Sequence, residues 1–323
     1  MPGMRRIATV TSGGDAPGMN AAIRALTRLA ISSGLEVLGF IRGWEGVLKN
    51  NYMKLDSRAV GGILHLGGTI LKTTRCREFR TEEGLRRAAE NLMKDEVDGL
   101  IVIGGDGSAR GARELSRYTD TKIIVLPASI DNDIYGTDES IGFDTAVNTA
   151  LVEINKIRDT AISYERTFLV EVMGRRRGFL ALEVGLTAGA EIILVPEVEY
   201  DRERIYETLR RNAAKGKRSS IIVVAEGVGD TWRLAEDIRR NIGTEVRVSV
   251  LGYVQRGGSP TARSRLLATL FSQKAIKLLL DGVGGRVVGI QGGEITSVSL
   301  DEACESVKPL NIDLLKLAER LAI

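Results

Sequence analysis

Asp106 lies inside a glycine-rich segment, Gly104–Ser108, that directly follows the apolar run Leu100–Ile103. Glycines let the backbone approach a ligand closely, and the N–H groups at the start of a helix attract phosphate. A carboxylate beside a phosphate would be repelled unless a cation lay between the two. The segment therefore predicts a site for a nucleotide together with Mg²⁺.

Two further segments follow apolar runs in the same way. Ser12–Gly18 comes after Ile7–Val10 and is again rich in glycine, and Ser129–Asp133 comes after Lys122–Leu126 and carries two carboxylates. One carboxylate could accept a proton from a hydroxyl group while the other serves a metal or orients the first. The alternative for Ser129–Asp133 is a turn that caps a helix.

Arginines are concentrated in three loops. Thr73–Arg80 contains three of them, which could clamp the charge on a phosphoryl group during its transfer; a solvated basic loop is the alternative. Glu171–Arg175 and Arg247–Pro260 each combine a glycine turn with arginine after an apolar run. For Arg247–Pro260 an ordinary exit from a strand is the alternative.

Composition narrows the classes of function. The 323 residues, 43% of them hydrophobic, suffice for two soluble domains with their own cores. The single histidine, His65, makes a Ser/His/Asp triad or a histidine-rich zinc site hard to assemble. Net charge is only +3, and the basic clusters Arg175–Arg177 and Lys215–Arg218 contain no aromatic residue, so we expect no nucleic-acid partner.

The sequence also indicates a compartment. Apolar runs fall short of the roughly 20 residues that a membrane helix needs, and no signal-peptide pattern is present, so we expect no membrane partner. Cys76 and Cys304 are far apart in the sequence, and we expect free thiols in a reducing compartment. A cytoplasmic location follows as an expectation.

Short β-branched runs alternate with helical patterns along the chain. This alternation predicts an α/β fold with doubly wound, mostly parallel sheets. The change from one domain to the next is predicted near Gly136–Asp144. The predicted strands are Ile7–Thr11, Glu36–Ile41, Leu100–Ile103, Lys122–Leu126, Thr167–Val172, Ile192–Val195, Ser220–Ala225, Val246–Leu251 and Val287–Gln291.

In their order and in their residues, these motifs closely resemble those of the bacterial-type ATP-dependent 6-phosphofructokinase family. The resemblance extends from Ile7 to about Leu315 and rests on Ser12–Gly18, Gly104–Ser108, Ser129–Asp133, Val172–Arg175 and Gly252–Pro260. It implies a glycolytic kinase that transfers the γ-phosphoryl group of Mg-ATP to the 1-hydroxyl of fructose 6-phosphate. The products would be fructose 1,6-bisphosphate and ADP. The resemblance also implies two doubly wound, Rossmann-like, mostly parallel sheet domains with the active site in the cleft between them. The nucleotide-binding domain would be 1–142 plus about 255–305, and the sugar-phosphate-binding domain 143–254 plus about 306–323.

The resemblance assigns roles to individual positions. Asp131 would be the base and Asp106 would hold Mg²⁺. The other catalytic positions are Gly14, Arg75, Ser129, Asp133 and Arg175. ATP would be held by Gly14, Arg75, Cys76, Arg80, Gly105, Asp106, Gly107, Ser108 and Gly111. Fructose 6-phosphate would be held by Ser129, Ile130, Asp131, Met173, Gly174, Arg175, Glu226, Tyr253, Val254, Gln255 and Arg256, with Arg166 and Arg247 reaching it from a neighbouring subunit.

The resemblance further implies a homotetramer with an effector site for ADP or phosphoenolpyruvate. The matching positions are Arg24, Arg28, Arg158, Gly189, Glu191, Lys215 and Lys217. The chain departs from the family at Ser57, where many relatives have arginine, and at Gly61, where they have serine. Tyr253 replaces a common histidine; a phenol can still bond a phosphate but cannot become cationic.

Three alternatives are open. Pyrophosphate-dependent relatives typically carry Asp at the position of Gly107 and Lys at that of Ala128, and these side chains fill the space of the ATP α-phosphate; the small residues here predict ATP. A NAD or lipid kinase would share the glycine-rich turn at Asp106 but would not need Ser129–Asp133, Arg166 and Arg247. A non-catalytic nucleotide-sensing homologue would have no use for Asp131 as a base.

Overall fold

The computed structural model describes residues 4–322, and the chain divides into two compact units. Met1–Thr145 and Arg256–Lys308 make up the first unit, and Ala146–Gln255 and Pro309–Ile323 the second. Within residues 4–322, no helix combines the length and the apolar character that crossing a bilayer requires.

Eleven strands and eleven α-helices are found in the described part of the chain. The strands are β1 (Arg6–Ser12), β2 (Glu36–Phe40), β3 (Tyr52–Lys54), β4 (Gly99–Gly104), β5 (Lys122–Pro127), β6 (Thr167–Val172), β7 (Ile192–Leu194), β8 (Ser220–Ala225), β9 (Val246–Val250), β10 (Arg286–Gln291) and β11 (Glu294–Ser299). The helices are α1 (Met19–Ser32), α2 (Trp44–Leu48), α3 (Glu82–Lys94), α4 (Asp106–Leu115), α5 (Phe143–Tyr164), α6 (Phe179–Thr187), α7 (Arg202–Ala214), α8 (Thr231–Ile242), α9 (Ala262–Leu280), α10 (Leu300–Glu305) and α11 (Ile312–Leu321).

The first unit is built on a seven-stranded sheet in the order β11-β10-β5-β4-β1-β2-β3. Its five inner strands are parallel, and both edge strands, β3 and β11, run antiparallel to their neighbours. Strand β4 is buried along its whole length, as expected where helices cover both faces of a sheet. On one face Val10 and Val102 share a core with α2, α3, α4 and α10. The order of strands reverses between β1 and β4, where open α/β sheets bind ligands.

The second unit has a four-stranded parallel sheet in the order β7-β8-β6-β9. Leu169 of β6 and Ile222 of β8 belong to a core that α7 and α8 complete with Leu209 and Ile238. The buried residues of α8 recur at the spacing of one helical face. Asp230 caps the start of this helix by accepting a hydrogen bond from Arg233 N.

The predicted α/β fold with mostly parallel sheets is confirmed. All nine predicted strands are present, with ends that shift by one residue; Ile41, Val195 and Leu251 lie just outside their strands. The sequence analysis missed β3 and β11. Strand β3 has only three residues and β11 is partly exposed along its length, so neither shows the continuous apolar run of a buried strand.

Candidate active site

The turns after β1 and β4 leave the same edge of the sheet in the first unit. These strands are parallel neighbours, with Ser12 opposite Gly104. The buried hydroxyl of Ser108 donates a hydrogen bond to Ser12 O at 2.9 Å. A Cβ on Gly104 would lie 2.5 Å from Ser12 O, so a larger residue would push the strands apart. The two glycine-rich turns therefore meet through the backbone.

The N-terminus of α4 supplies donors at this edge. The helix begins at Asp106, and its N-cap, Gly105, has an extended backbone. The N–H groups of a first helical turn lack partners within the helix and carry the positive end of its dipole. A Cβ built on the exposed Gly107 meets no described atom within 4 Å. There is accordingly room for an anion at the start of α4.

Asp106 meets the chemical requirement for a magnesium ligand. Mg²⁺ commonly takes one or two protein carboxylates and completes its shell with water and substrate phosphates. Asp106 offers a carboxylate with about one third of its side chain exposed, beside the anion-binding start of α4. Arg110 Nε donates to Asp106 Oδ2 at 3.0 Å, and this hydrogen bond raises the pKa of Arg110.

The segment that carries the predicted base follows β5 and packs beside the turn after β4. A Cβ on Gly105 would lie 3.5 Å from Ser129 Oγ. The Asp131 N–H donates to Ser129 Oγ at 3.2 Å, and Asp131 is only 5% exposed. Ile130 is buried as well. The structure thus brings the turn of Asp106 and the loop of Asp131 into contact.

Two residues that the sequence analysis missed fix this loop. Asn132 has a left-handed backbone with φ of 52°. Its side-chain Oδ1 accepts from Ser140 N at 2.9 Å, and its Nδ2 donates to Asp138 O at 3.0 Å. Lys308 Nζ donates to Asn132 O at 2.9 Å. The loop between Ser129 and Asp133 is therefore held through its backbone as well as through Ser129.

The arginine loop is attached to the first glycine-rich turn. Thr73 Oγ1 donates to Gly13 O at 2.8 Å, two residues before Arg75. Arg75 and Arg80 are exposed, and Cys76 is half-buried against the core. The guanidinium of Arg75 is thus carried by a loop that the side chain of Thr73 attaches to the first glycine-rich turn.

Aromatic stacking anchors the far end of that loop. Phe79 stacks on Trp44 with ring centroids 4.1 Å apart and planes 9° from parallel. A Cβ on Gly111 would lie 3.2 Å from both Phe79 and Trp44. The glycine at 111 lets α4 approach this stack closely, which gives it a packing role beside the predicted nucleotide contact.

Arg256 also lies at the first turn. A Cβ on Gly14 would be 3.5 Å from Cζ of Arg256. The structure therefore places a residue predicted for the sugar phosphate beside one predicted for the nucleotide, within a single unit.

In the second unit, Glu226 organises the turn after β6. Its Oε1 accepts hydrogen bonds from Gly174 N at 3.1 Å and Arg175 N at 2.5 Å. Gly174 has a φ of 134°, and a Cβ there would lie 2.6 Å from Arg177 O. Met173 is buried beside them. The structure thus brings together the predicted sugar-phosphate residues 173–175 and 226.

Arg166 and Arg247 lie at the opposite edge of that sheet. Arg166 precedes β6 and Arg247 is the second residue of β9, so both are at amino ends of strands, whereas Arg175 follows a carboxyl end. Both arginines share one carboxylate: Arg166 Nε donates to Glu245 Oε2 at 2.5 Å, and Arg247 Nη2 donates to Oε1. The hydrogen bond from Arg166 lowers the pKa of Glu245. The two guanidiniums are held side by side at the surface.

The short 3₁₀ helix Gly252–Arg256 holds the remaining predicted sugar-phosphate residues. Tyr253 and Val254 are exposed, with 78% and 56% of their surface accessible. Gln255 is fully buried, and its Nε2 donates to Gly252 O at 3.0 Å. In the described chain Gln255 therefore supports the backbone of this turn.

The predicted effector residues fall in both units. Arg24 and Arg28 lie on α1, one half-buried and one exposed. In the second unit, Arg158 Nη2 donates to Gly189 O at 3.3 Å. The remaining positions include the exposed Lys215 and an ion pair between the exposed Lys217 and the buried Glu191, with Lys217 Nζ 2.5 Å from Glu191 Oε1.

These features define a class: an α/β protein whose switch point presents glycine-rich turns, a helix N-terminus with room for an anion, a carboxylate suited to Mg²⁺ and a buried aspartate. A family model described as Phosphofructokinase matches residues 6–279. The chain belongs to the phosphofructokinase family.

Comparisons with individual proteins show which members of this family the chain is similar to. The chain is 49% identical over 320 residues to a protein of Shouchella clausii named ATP-dependent 6-phosphofructokinase, covering 99% of this chain and 100% of that protein. A crystal structure of Pichia pastoris phosphofructokinase in the T-state has a TM-score of 0.88 and 35% identity; the match covers 94% of this chain and 36% of that longer chain. A pyrophosphate-dependent phosphofructokinase from Marinobacter aquaeolei has a TM-score of 0.85 at 21% identity, covering 98% of this chain and 91% of that one, and shows the fold alone.

Proposed function

We propose that this phosphofructokinase transfers the γ-phosphoryl group of Mg-ATP to the 1-hydroxyl of fructose 6-phosphate. The products are fructose 1,6-bisphosphate and ADP. The observation that carries the proposal is the contact between the turn of Asp106 and the loop of the buried Asp131, within one unit and at the switch point of its sheet. The full-length similarity to a protein named for ATP supports the choice of donor.

The reaction needs positioning and neutralisation of charge more than covalent help. Asp131 accepts the proton of the sugar 1-hydroxyl while the oxygen of that hydroxyl bonds to the γ-phosphorus. The bond from the γ-phosphorus to the bridging oxygen breaks, and ADP leaves with that oxygen. The N–H groups at the start of α4 and the backbone of Gly14 bind phosphate oxygens, and Arg75 offsets their charge. Mg²⁺ on Asp106 would neutralise the phosphates when bound. Ser129 keeps its hydrogen bond to the Asp131 N–H, which holds the base in place.

The first unit accordingly binds the nucleotide, and the second provides Gly174, Arg175 and Glu226 for the sugar phosphate. Arg166 and Arg247 are too far from Arg175 to bind the same sugar phosphate, because they lie at the other ends of the strands in this sheet. Strand β6 has six residues, so the edge with Arg166 is about 20 Å from the edge with Arg175. A neighbouring subunit that presents its amino edge would supply the two arginines.

A homotetramer is the assembly that we infer. The second unit exposes large apolar side chains around these arginines in the sequence: Ile162 (60%), Tyr164 (63%) and Val250 (49%). Exposed apolar surface of this kind is typical of subunit contacts. Closed symmetric assemblies place identical contacts on every subunit, so each active site would be completed in the same way.

Regulation by ADP or phosphoenolpyruvate belongs to the same proposal. Arg158, Lys215 and Lys217 provide cations for a phosphorylated effector, and Lys217 already has a buried carboxylate, Glu191, beside it. We also propose a cytoplasmic location, since ATP is supplied there and both cysteines are free thiols.

A comparison of phosphate donors tests the proposal. Turnover of fructose 6-phosphate is expected with ATP, because the space beside Gly107 is open. No turnover is expected with pyrophosphate, in line with the similarity to a protein named for ATP. The double variant Gly107→Asp, Ala128→Lys introduces the two side chains that we propose would fill the space of the ATP α-phosphate, and it is expected to lose ATP turnover.

Other outcomes separate the alternatives. Saturating turnover with pyrophosphate and none with ATP would make the enzyme pyrophosphate-dependent. Nucleotide binding without turnover of either donor would indicate a nucleotide-sensing homologue, and phosphorylation of another acceptor alone would indicate a different kinase.

A further inference from the structure

The carboxylate of Asp106 already has a cation beside it that belongs to the chain. Arg110 follows one turn later on α4, and its Nε is 3.0 Å from Asp106 Oδ2. Asp133 acts on the same guanidinium: the hydrogen bond from Arg110 to Asp106, and more weakly the charge of Asp133, raise the pKa of Arg110. One guanidinium thus lies in the field of two carboxylates of the candidate active site.

This ion pair is easily opened. The Arg110 side chain is 52% exposed and that of Asp106 is 35% exposed. Solvent-exposed pairs at this helical spacing contribute only a few tenths of a kcal/mol. A divalent cation that arrives with a nucleotide can therefore displace the guanidinium, whose long side chain is free to turn outward.

We propose that Arg110 is a built-in counter-cation for the metal carboxylate and sets the metal concentration that the site requires. It acts as a positioning residue and rests on the proposed role of Asp106 in Mg²⁺ binding. With no metal bound, Arg110 holds Asp106 and offsets its charge. Metal binding must break that contact, and the guanidinium stays tethered to the next turn of α4 as a nearby positive charge; both effects weaken metal binding.

The test measures metal affinity directly. Mn²⁺ is titrated by electron paramagnetic resonance into the full-length protein saturated with ADP, in the absence of the sugar, so that no turnover is involved. Arg110→Met keeps the length and helix propensity of the side chain and removes its charge. We expect the dissociation constant of Mn²⁺ to fall about three- to tenfold in this variant, and Arg110→Lys to restore most of the wild-type value.

Arg86→Met is the matched control. Arg86 forms the same kind of pair with Glu82, four residues earlier on the exposed face of α3, at 2.6 Å. This variant is expected to bind Mn²⁺ as the wild type does, and circular dichroism confirms that each variant is folded.

Three results would overturn the inference. Equal Mn²⁺ affinity in Arg110→Met and wild type would show that the arginine does not compete, and weaker binding would show that it supports the metal instead. In both cases the role of Asp106 survives. If Asp106→Asn binds Mn²⁺ as tightly as wild type, the metal role of Asp106 fails together with the inference.

Discussion

The two units hold their candidate ligand residues by different means. In the first unit the site is shaped by backbone contacts and by glycines, which have no side chain. At Gly104, for example, a Cβ would lie 2.5 Å from Ser12 O. In the second unit the residues are held by charge: Glu226 binds two N–H groups, and Glu245 binds two guanidiniums. Steric contacts tolerate little change, whereas exposed ion pairs can open and re-form. The first arrangement suits a fixed reaction geometry, and the second suits a site whose partners change.

The largest expected effect is at the base. Asp131→Ser should lower kcat at least about 10²-fold, because no other group at that position can accept the proton. Binding of ATP, measured by calorimetry, should change little, since the proposed nucleotide contacts are made by other residues of the unit. Near-normal turnover in this variant would remove Asp131 from the role of base.

The next effect tests the steric half of the comparison. Gly104→Ala should destabilise the protein by about 1–3 kcal/mol, because its Cβ would displace the backbone at Ser12. Gly107→Ala is the matched control in the same turn; its Cβ meets open space and should change stability by less than about 0.5 kcal/mol. Urea unfolding measures both. Equal stabilities for the two variants would contradict the assigned steric contact.

The smallest effect is expected at the charged pair of the second unit. Glu245→Gln frees Arg166 and Arg247 from a competing carboxylate, so the KM for fructose 6-phosphate should fall about twofold.

Because Arg166 lowers the pKa of Glu245 in the folded protein, the ion pair stabilises the fold above the unfolded pKa of about 4.3. Its contribution is lost as the pH falls through the lower, folded value.

Thermal unfolding checks the sign of that dependence. The difference in Tm between wild type and Glu245→Gln should shrink as the pH is lowered from about 6 to about 3.5. A difference that stays constant over this range would mean that the carboxylate is not held by the arginines.

The sequence predicted the parts of the site that lie close together along the chain. Glycines at 104 and 107 and the carboxylates at 106 and 131 follow apolar strands, so their types and positions carry the signal. Asn132 could have been found as well, because asparagine tolerates the left-handed backbone that it adopts. Glu245, two residues before Arg247 at the start of a strand, offered a weaker signal of the same local kind.

Other features depend on contacts that no local pattern encodes. Lys308 bonds the backbone of Asn132 across 176 residues, and nothing near Lys308 in the sequence indicates that contact. The stack of Trp44 on Phe79 behind Gly111 likewise joins three separate segments. Such contacts arise only when the tertiary fold is complete.

The contact of Lys308 with the loop after β5 bears on when each unit can fold during synthesis of the chain. The first unit needs Arg256–Lys308 to finish its sheet and to tie down the loop of its base. Residues Ala146–Gln255 have left the ribosome by then, and domains generally fold as units during synthesis. The second unit in turn needs Pro309–Ile323, which follow Lys308 in the chain. Each unit therefore depends on residues made after Gln255, and catalytic competence is acquired only once these late segments are in place.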